Sequence, residues 1–163
     1  MGKNIKLIIL SLLLCVFSFA MLSGCGEDKS GSTINEPEIT GEYLAEEYSQ
    51  QLLNDGAETV LGLVTIEKQG EDSYKVNIAE REVVPSSKYD EGYYLADNNI
   101  NKTVDFGFDA RIACIHDGKL EVETPDEFIK NHGEDNQQLY TVYLMGESAE
   151  LLLATDPKDV QAE

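Results

Sequence analysis

The sequence predicts a mainly β domain: a small antiparallel barrel with one helix in front of it and a short helix before its last two strands. Three observations lead there. Apolar and polar residues alternate with period two in separate segments from Thr59 to Ala154. Glycine-bearing turn signals punctuate those segments at Gln69-Gly70, Asp117-Gly118 and Gly146-Glu147. A helix-start signature, Thr124-Pro125-Asp126-Glu127, interrupts the alternation once, just upstream of "LYTVYLM" and "AELLLA".

Thr40 reads as an N-cap, with Ile39 and Leu44 placed to staple the helix entry. Leu44, Tyr48 and Leu52 then recur at helical spacing, and Asn54-Asp55-Gly56 stops the run, which predicts an amphipathic helix over 41–54. "TVLGLVTIEK" and "YKVNIAEREVV" flank Gln69–Asp72 as a hairpin. Val60, Gly62, Val64 and Ile66 share one face of the first strand and Leu61 and Leu63 the other, with Gly62 marking a bend or bulge. "PSSKYDEGYYLADNNINK" reads as a long ordered loop, or a short strand between loops. "TVDFGFDARIACIHDGKLEVET" forms a second hairpin at Asp117-Gly118. Thr124 then caps a helix with Pro125 at N1, Glu127 closing a capping box and Gly133 ending it. A helix inserted between the third main strand and the last two is the plan of an OB-like barrel.

The amino terminus has a different character. Lys3 and Lys6 precede an apolar run of about 15 residues from Leu7 to Met21, short of the ~20 that a spanning helix needs, which is a signal-peptide layout. Leu22-Ser23-Gly24-Cys25 follows directly and resembles the lipobox of bacterial lipoproteins at all four positions. The resemblance implies diacylglyceryl transfer to the Cys25 sulfur, cleavage before Cys25, and a chain anchored through lipid on the extracytoplasmic face of the cell membrane. Two or more acyl chains give stable attachment, each buried CH₂ adding about 0.8 kcal/mol. The expected organisation is a signal peptide over 1–24, a lipidated cysteine and flexible tether over 25–38, one β-rich domain over 39–157, and a polar tail over 158–163.

The chain has 31 acidic and 12 basic residues. Lys3 and Lys6 lie in the leader, so the remainder holds 31 against 10, a net charge of −21. A surface of that sign repels nucleic acid, whose phosphates demand Lys and Arg, and favours cations and basic peptides. With Cys15 in the leader and Cys25 lipidated, only Cys114 remains in the domain, so no intradomain disulfide forms.

Catalytic signatures are missing from the sequence: it holds no G-x-S-x-G, G-x-G-x-x-G, Walker loop or Ser-x-x-Lys. Cys114 and His116 fall on one face of a strand, the raw material of a nucleophilic pair. The flanking Ile112, Ala113 and Ile115 instead predict a buried, inert thiol, and His116 reads as a solvated strand end. The chain has two histidines, His116 and His132, in no metal-binding spacing, so zinc would need both of them and carboxylates gathered across the fold. Asp97, Asn99, Asn101 and Asp105 match positions 1, 3, 5 and 9 of a calcium loop, but Lys102 replaces its glycine and Phe108 its final glutamate, so turn chemistry accounts for them. These readings assign no catalytic residue, no metal ligand and no cofactor.

Tyrosines are the remaining signal. Tyr89, Tyr93 and Tyr94, with Asp97, Asn99 and Asn101, make the expected binding loop, since a rigid ring with a polar tip suits contact surfaces. "GLVTIEK", "GYYLADNN" and "LYTVYL" together resemble small exported β-rich bacterial proteins of unassigned function, and that resemblance carries no site residues. The expected function is a lipid-anchored, non-catalytic binding or interaction module for a protein or peptide. The alternatives are a cell-envelope hydrolase with a carboxylate pair and a lipoprotein that binds a small ligand or cation.

Overall fold

A computed structural model describes residues 38–133 and 136–160. The expected leader, Cys25 and the expected tether as far as residue 37 lie outside the described residues, as do residues 161–163 of the expected tail.

The helix expected over 41–54 is continuous but changes pitch. Gly41–Tyr43 and Ser49–Asn54 are α-helical around a π-helical stretch, Leu44–Tyr48, and the whole is α1. Thr40 caps it, its Oγ1 accepting from the Tyr43 N–H at 3.1 Å. Six strands and two short helices follow: β1 Glu58–Lys68, β2 Tyr74–Pro85, β3 Tyr93–His116, β4 Lys119–Glu123, α2 Pro125–His132, β5 Leu139–Met145, β6 Ser148–Ala154 and α3 Pro157–Val160. The fold is mainly β, with the helix in front and the short helix before the last two strands where the sequence predicts them.

Strand pairing runs β2-β1-β5-β6-β3, and β3 returns to β2, so five strands form a ring of pairings with β4 hydrogen-bonded along the β3 edge. The expectation of a wholly antiparallel arrangement is corrected at one pairing: β3 and β6 run parallel, from Asp105↔Ser148 to Ala113↔Leu153. A hairpin cannot join parallel neighbours, and the crossover through β4, α2 and β5 supplies the required length.

A second correction concerns the middle segment. Residues 93–101 are neither a long loop nor a short strand between loops but the first part of the long β3, paired with β2 from Pro85↔Tyr93 to Ala79↔Asn101. The segment lacks an apolar face because much of this two-stranded arm lies against solvent. Ion pairs between the strands take the place of a core: Arg81–Asp97 at 3.1 Å, Lys102–Glu80 at 3.0 Å and Lys75–Asp105 at 2.6 Å. The register breaks between Ala79 and Arg81, opposite Asn99, which takes a positive φ of 55° and donates its backbone N–H to Asp97 Oδ1 at 2.7 Å.

Two apolar clusters result from the alternation along the strands. Val64, Ile66, Val76, Ile78, Ile112, Cys114, Tyr140, Val142 and Leu152 pack together with Phe128 of α2. On the other face of β3, β5 and β6, Ala113, Tyr143 and Leu151 receive Leu44 and Leu52 of α1. Gly41 begins α1 so close to β4 that a Cβ there would collide with the Leu120 carbonyl oxygen, so glycine alone permits the approach. Cys114 therefore faces the main core while its neighbour Ala113 faces α1.

Candidate metal centre

The β3–β4 hairpin turns at Asp117 and Gly118, both with positive φ (50° and 77°), the geometry of a tight two-residue connection. Its register pairs Ile112 with Glu123, Cys114 with Glu121 and His116 with Lys119. Alternation then puts Cys114, His116 and Glu123 on one face. Straight after Glu123, the capping box starts α2: Thr124 Oγ1 accepts from the Glu127 N–H at 3.3 Å, and Glu127 Oε2 accepts from the Thr124 N–H at 2.9 Å. Lys68 of β1 holds Asp126 at 2.9 Å, and Phe128 is buried in the main core. Thus seated, α2 brings its last residue, His132, back over Glu123.

Glu123 is the hub. One carboxylate oxygen, Oε1, lies 3.0 Å from His116 Nε2 and accepts from Asn131 Nδ2 at 2.8 Å. The other, Oε2, lies 3.0 Å from His132 Nε2 and accepts from the Cys114 thiol at 3.2 Å. Burial pushes the Glu123 carboxyl up, but Asn131, Cys114, His132 and His116 together outweigh it and leave the group below its ordinary range. Behind Cys114, Tyr140 Oη is 3.5 Å from the sulfur. The His132 ring lies against Phe128 with centroids 4.8 Å apart, and the two imidazoles are 5.6 Å apart.

One ligand atom from each of Cys114, His116, Glu123 and His132 lies within 4.8 Å of every other. These four donors, a thiol, two imidazoles and a carboxylate, are of the three types that bind zinc-class ions. Exposure is graded across the group: Cys114 is fully buried, the Glu123 side chain is 7% exposed and that of His116 35%, so His116 marks the solvent side. Glu123 also lines a groove of about 550 Å³ with Tyr74, Phe106, Phe108, Arg111 and Thr124.

The structure corrects one reading of the sequence: His116 is not simply a solvated strand end but a partner of Glu123. It also gathers both histidines with a carboxylate across the fold, the arrangement that zinc would need in the absence of a local spacing. The expected burial of Cys114 holds. Burial, together with the Glu123 carboxylate, pushes its thiol up to about 12, which leaves almost no thiolate for nucleophilic attack at neutral pH.

The residues of the expected binding loop lie away from the Glu123 cluster. Tyr89 and Tyr94 sit in and beside the turn that ends the β2–β3 arm, exposed, with ring centroids 5.6 Å apart, and Tyr93 is half-buried. Asp97, Asn99 and Asn101 belong to β3, where Asp97 is tied to Arg81 and Asp105 to Lys75. Those partners are six residues apart along β2, which separates the two carboxylates by roughly 20 Å. No single calcium ion can reach both.

Glu123 is the site residue that sequence reasoning missed. The hairpin register offers Glu121 and Glu123 on the same face as Cys114, and only the seating of α2 makes Glu123 the buried one. Comparison with known proteins finds no matching family model, no matching curated protein and no matching solved structure.

Proposed function

We propose that the chain is a lipid-anchored, extracytoplasmic, non-catalytic binding protein, and that it binds a cation in the Glu123 cluster. The observation that carries this reading is the convergence of Cys114, His116, Glu123 and His132 from β3, β4 and α2. The chain has two histidines, and both are there, with the one cysteine outside the leader and lipobox. Binding rather than turnover is favoured by the full burial of Cys114, which keeps its sulfur out of reach of a substrate. The acidic surface attracts cations toward the site and disfavours nucleic acid. Anchoring rests on the lipobox at Leu22–Cys25.

We read the five-strand ring as an OB-like barrel. Closure of the ring, the parallel β3–β6 pairing within an otherwise antiparallel set, and the helix before the last two strands favour that architecture.

Two measurements test the proposal. Membrane fractionation of the producing cell should find the wild-type chain with the membrane and Cys25→Ala in the soluble fraction; equal partitioning would refute the anchor. Metal analysis of the purified full chain should find bound metal that is lost in Glu123→Gln; unchanged content would refute the site.

A second reading has its own observation. Tyr89 and Tyr94 present adjacent exposed rings at the tip of the β2–β3 arm, the kind of surface a protein or peptide partner buries. Pull-down from intact membranes with wild type and a Tyr89→Ser, Tyr94→Ser double variant tests it: a partner lost with the rings supports contact there.

A further inference from the structure

We infer that the Glu123 cluster is a closed, four-coordinate zinc site, in which Cys114 Sγ, His116 Nε2, a Glu123 carboxylate oxygen and His132 Nε2 bind the ion. This rests on the reading of the cluster as a cation seat and adds the identity and coordination of the cation.

Geometry comes first. In a tetrahedron with zinc distances of about 2.0–2.3 Å, neighbouring ligand atoms are roughly 3.3–3.6 Å apart. Glu123 Oε2 is 3.0 Å from His132 Nε2 and 3.2 Å from Cys114 Sγ, and Oε1 is 3.0 Å from His116 Nε2, each slightly too short, while the ligand atoms of the four residues all lie within 4.8 Å of one another. A single carboxylate oxygen binds the ion, so admitting it widens that oxygen's own short contacts by a few tenths of an ångström and draws the wider pairs together. Rotation about side-chain torsions at the end of β4 and the end of α2 suffices for shifts of that size.

Charge and donor type then choose the ion. On binding, the thiol loses its proton to solvent and becomes a thiolate; with the Glu123 carboxylate and two neutral imidazoles, the ligands carry two negative charges. A divalent ion leaves the half-buried centre neutral and so limits its desolvation cost. Calcium takes six to eight oxygens and magnesium an octahedron rich in oxygen and water, whereas this set holds two nitrogens, one sulfur and one carboxylate. Copper sites with two His and one Cys use a weak fourth ligand, and a charged carboxylate is not one. Zinc accepts all four donors without a geometric preference of its own.

The groups around the ligands suit a bound ion as well. Asn131 Nδ2 donates to Glu123 and holds the carboxylate in place, and Tyr140 Oη is positioned to donate to the Cys114 sulfur once it is a thiolate. All four ligands lie between Cys114 and His132, on a hairpin followed by a helix, the same local frame that ββα zinc modules use. Four protein ligands fill the tetrahedron, so the site fixes the ion and leaves no open position for a reacting water.

The full chain, purified in detergent and stripped with chelator, is titrated with Zn²⁺, Co²⁺, Cu²⁺, Ca²⁺ and Mg²⁺, alongside Cys114→Ser, His132→Ala and Glu123→Gln. One equivalent of Zn²⁺ should bind and resist a thousandfold excess of Ca²⁺ or Mg²⁺. Co²⁺ should give the intense visible bands of a tetrahedral site and a sulfur-to-metal charge-transfer band, both removed by Zn²⁺. Cys114→Ser should abolish the charge-transfer band, and each ligand variant should weaken zinc binding by about tenfold or more. Pale octahedral Co²⁺, preference for Ca²⁺, or an intense blue Cu²⁺ band with copper displacing zinc would overturn the zinc assignment and leave the cation seat standing. Binding of no metal, or zinc binding unchanged in all three variants, would overturn the seat itself.

Discussion

His132 Nε2, on the last residue of α2, stands 3.0 Å from Oε2 of Glu123, on the last residue of β4. The contact spans a whole helix, so α2 must be capped at its start and docked along its length for the two residues to meet. Thr124 supplies the cap and Phe128 the docking. Site and fold are coupled there, and the coupling can be measured.

Without metal, Glu123→Gln should destabilise the protein by about 1.5–3 kcal/mol, the range for hydrogen bonds to a charged group. An amide keeps one oxygen acceptor but turns an –NH₂ toward side chains that are themselves donors, among them His116, His132 and the Cys114 thiol. Urea unfolding in the presence of chelator measures the difference. An unchanged midpoint would mean that the network contributes nothing to the fold.

Removing the α2 cap should weaken the site at a distance. Thr124→Ala leaves every ligand in place but costs the helix about 1 kcal/mol. Zinc affinity is expected to fall by roughly fivefold, since 1.4 kcal/mol corresponds to tenfold. Competition with a chromophoric chelator reads the change, and unaltered affinity would show that α2 stays positioned without its cap.

Acid should loosen α2. Backbone and side-chain hydrogen bonds from Thr124 hold the Glu127 carboxyl below its ordinary value, and the Lys68 ammonium does the same for Asp126. A depressed folded-state pKa adds stability above the unfolded value that is lost as pH falls through the folded one. Protection against hydrogen exchange in 126–132, taken relative to the intrinsic rate at each pH, should therefore fall below the ordinary carboxylate range, with a weaker acid response in Glu127→Gln. Equal acid responses in the two proteins would remove the capping box as a cause.

Gly41 reports on how α1 meets the hairpin. Its missing Cβ leaves room for the Leu120 carbonyl, so Gly41→Ala must push α1 from β4 or strain the backbone. A loss of about 1–3 kcal/mol is expected, as for overpacking in a tight interface. Thermal unfolding measures it, and a neutral substitution would show that α1 is not held against β4.

The parts of this fold that were legible in the sequence are those set by neighbouring residues. Asp117-Gly118 makes the tight turn it promises, Thr124 and Glu127 close their box, and Leu44 and Leu52 bury the face their spacing implies. β2 was legible as a strand, but the first part of β3 that pairs with it was not, because a strand held by cross-strand ion pairs shows no apolar alternation. The parallel β3–β6 pairing was hidden too, since it joins segments separated by a hairpin, a helix and another strand. As for the site, Cys114 and His116 were visible as a pair, but His132 and Glu123 join them only through the docking of α2. Glu123 is one of 31 acidic residues, and its neighbour on the same strand face, Glu121, is exposed.

Anomalous scattering at the zinc absorption edge, on crystals of the full chain grown with one equivalent of Zn²⁺, asks whether the ion sits in the Glu123 cluster. A single peak is expected, bonded to Cys114 Sγ, His116 Nε2, a Glu123 oxygen and His132 Nε2. Absence of a peak there, with Glu123 still hydrogen-bonded to both histidines, Asn131 and the Cys114 thiol, would contradict it.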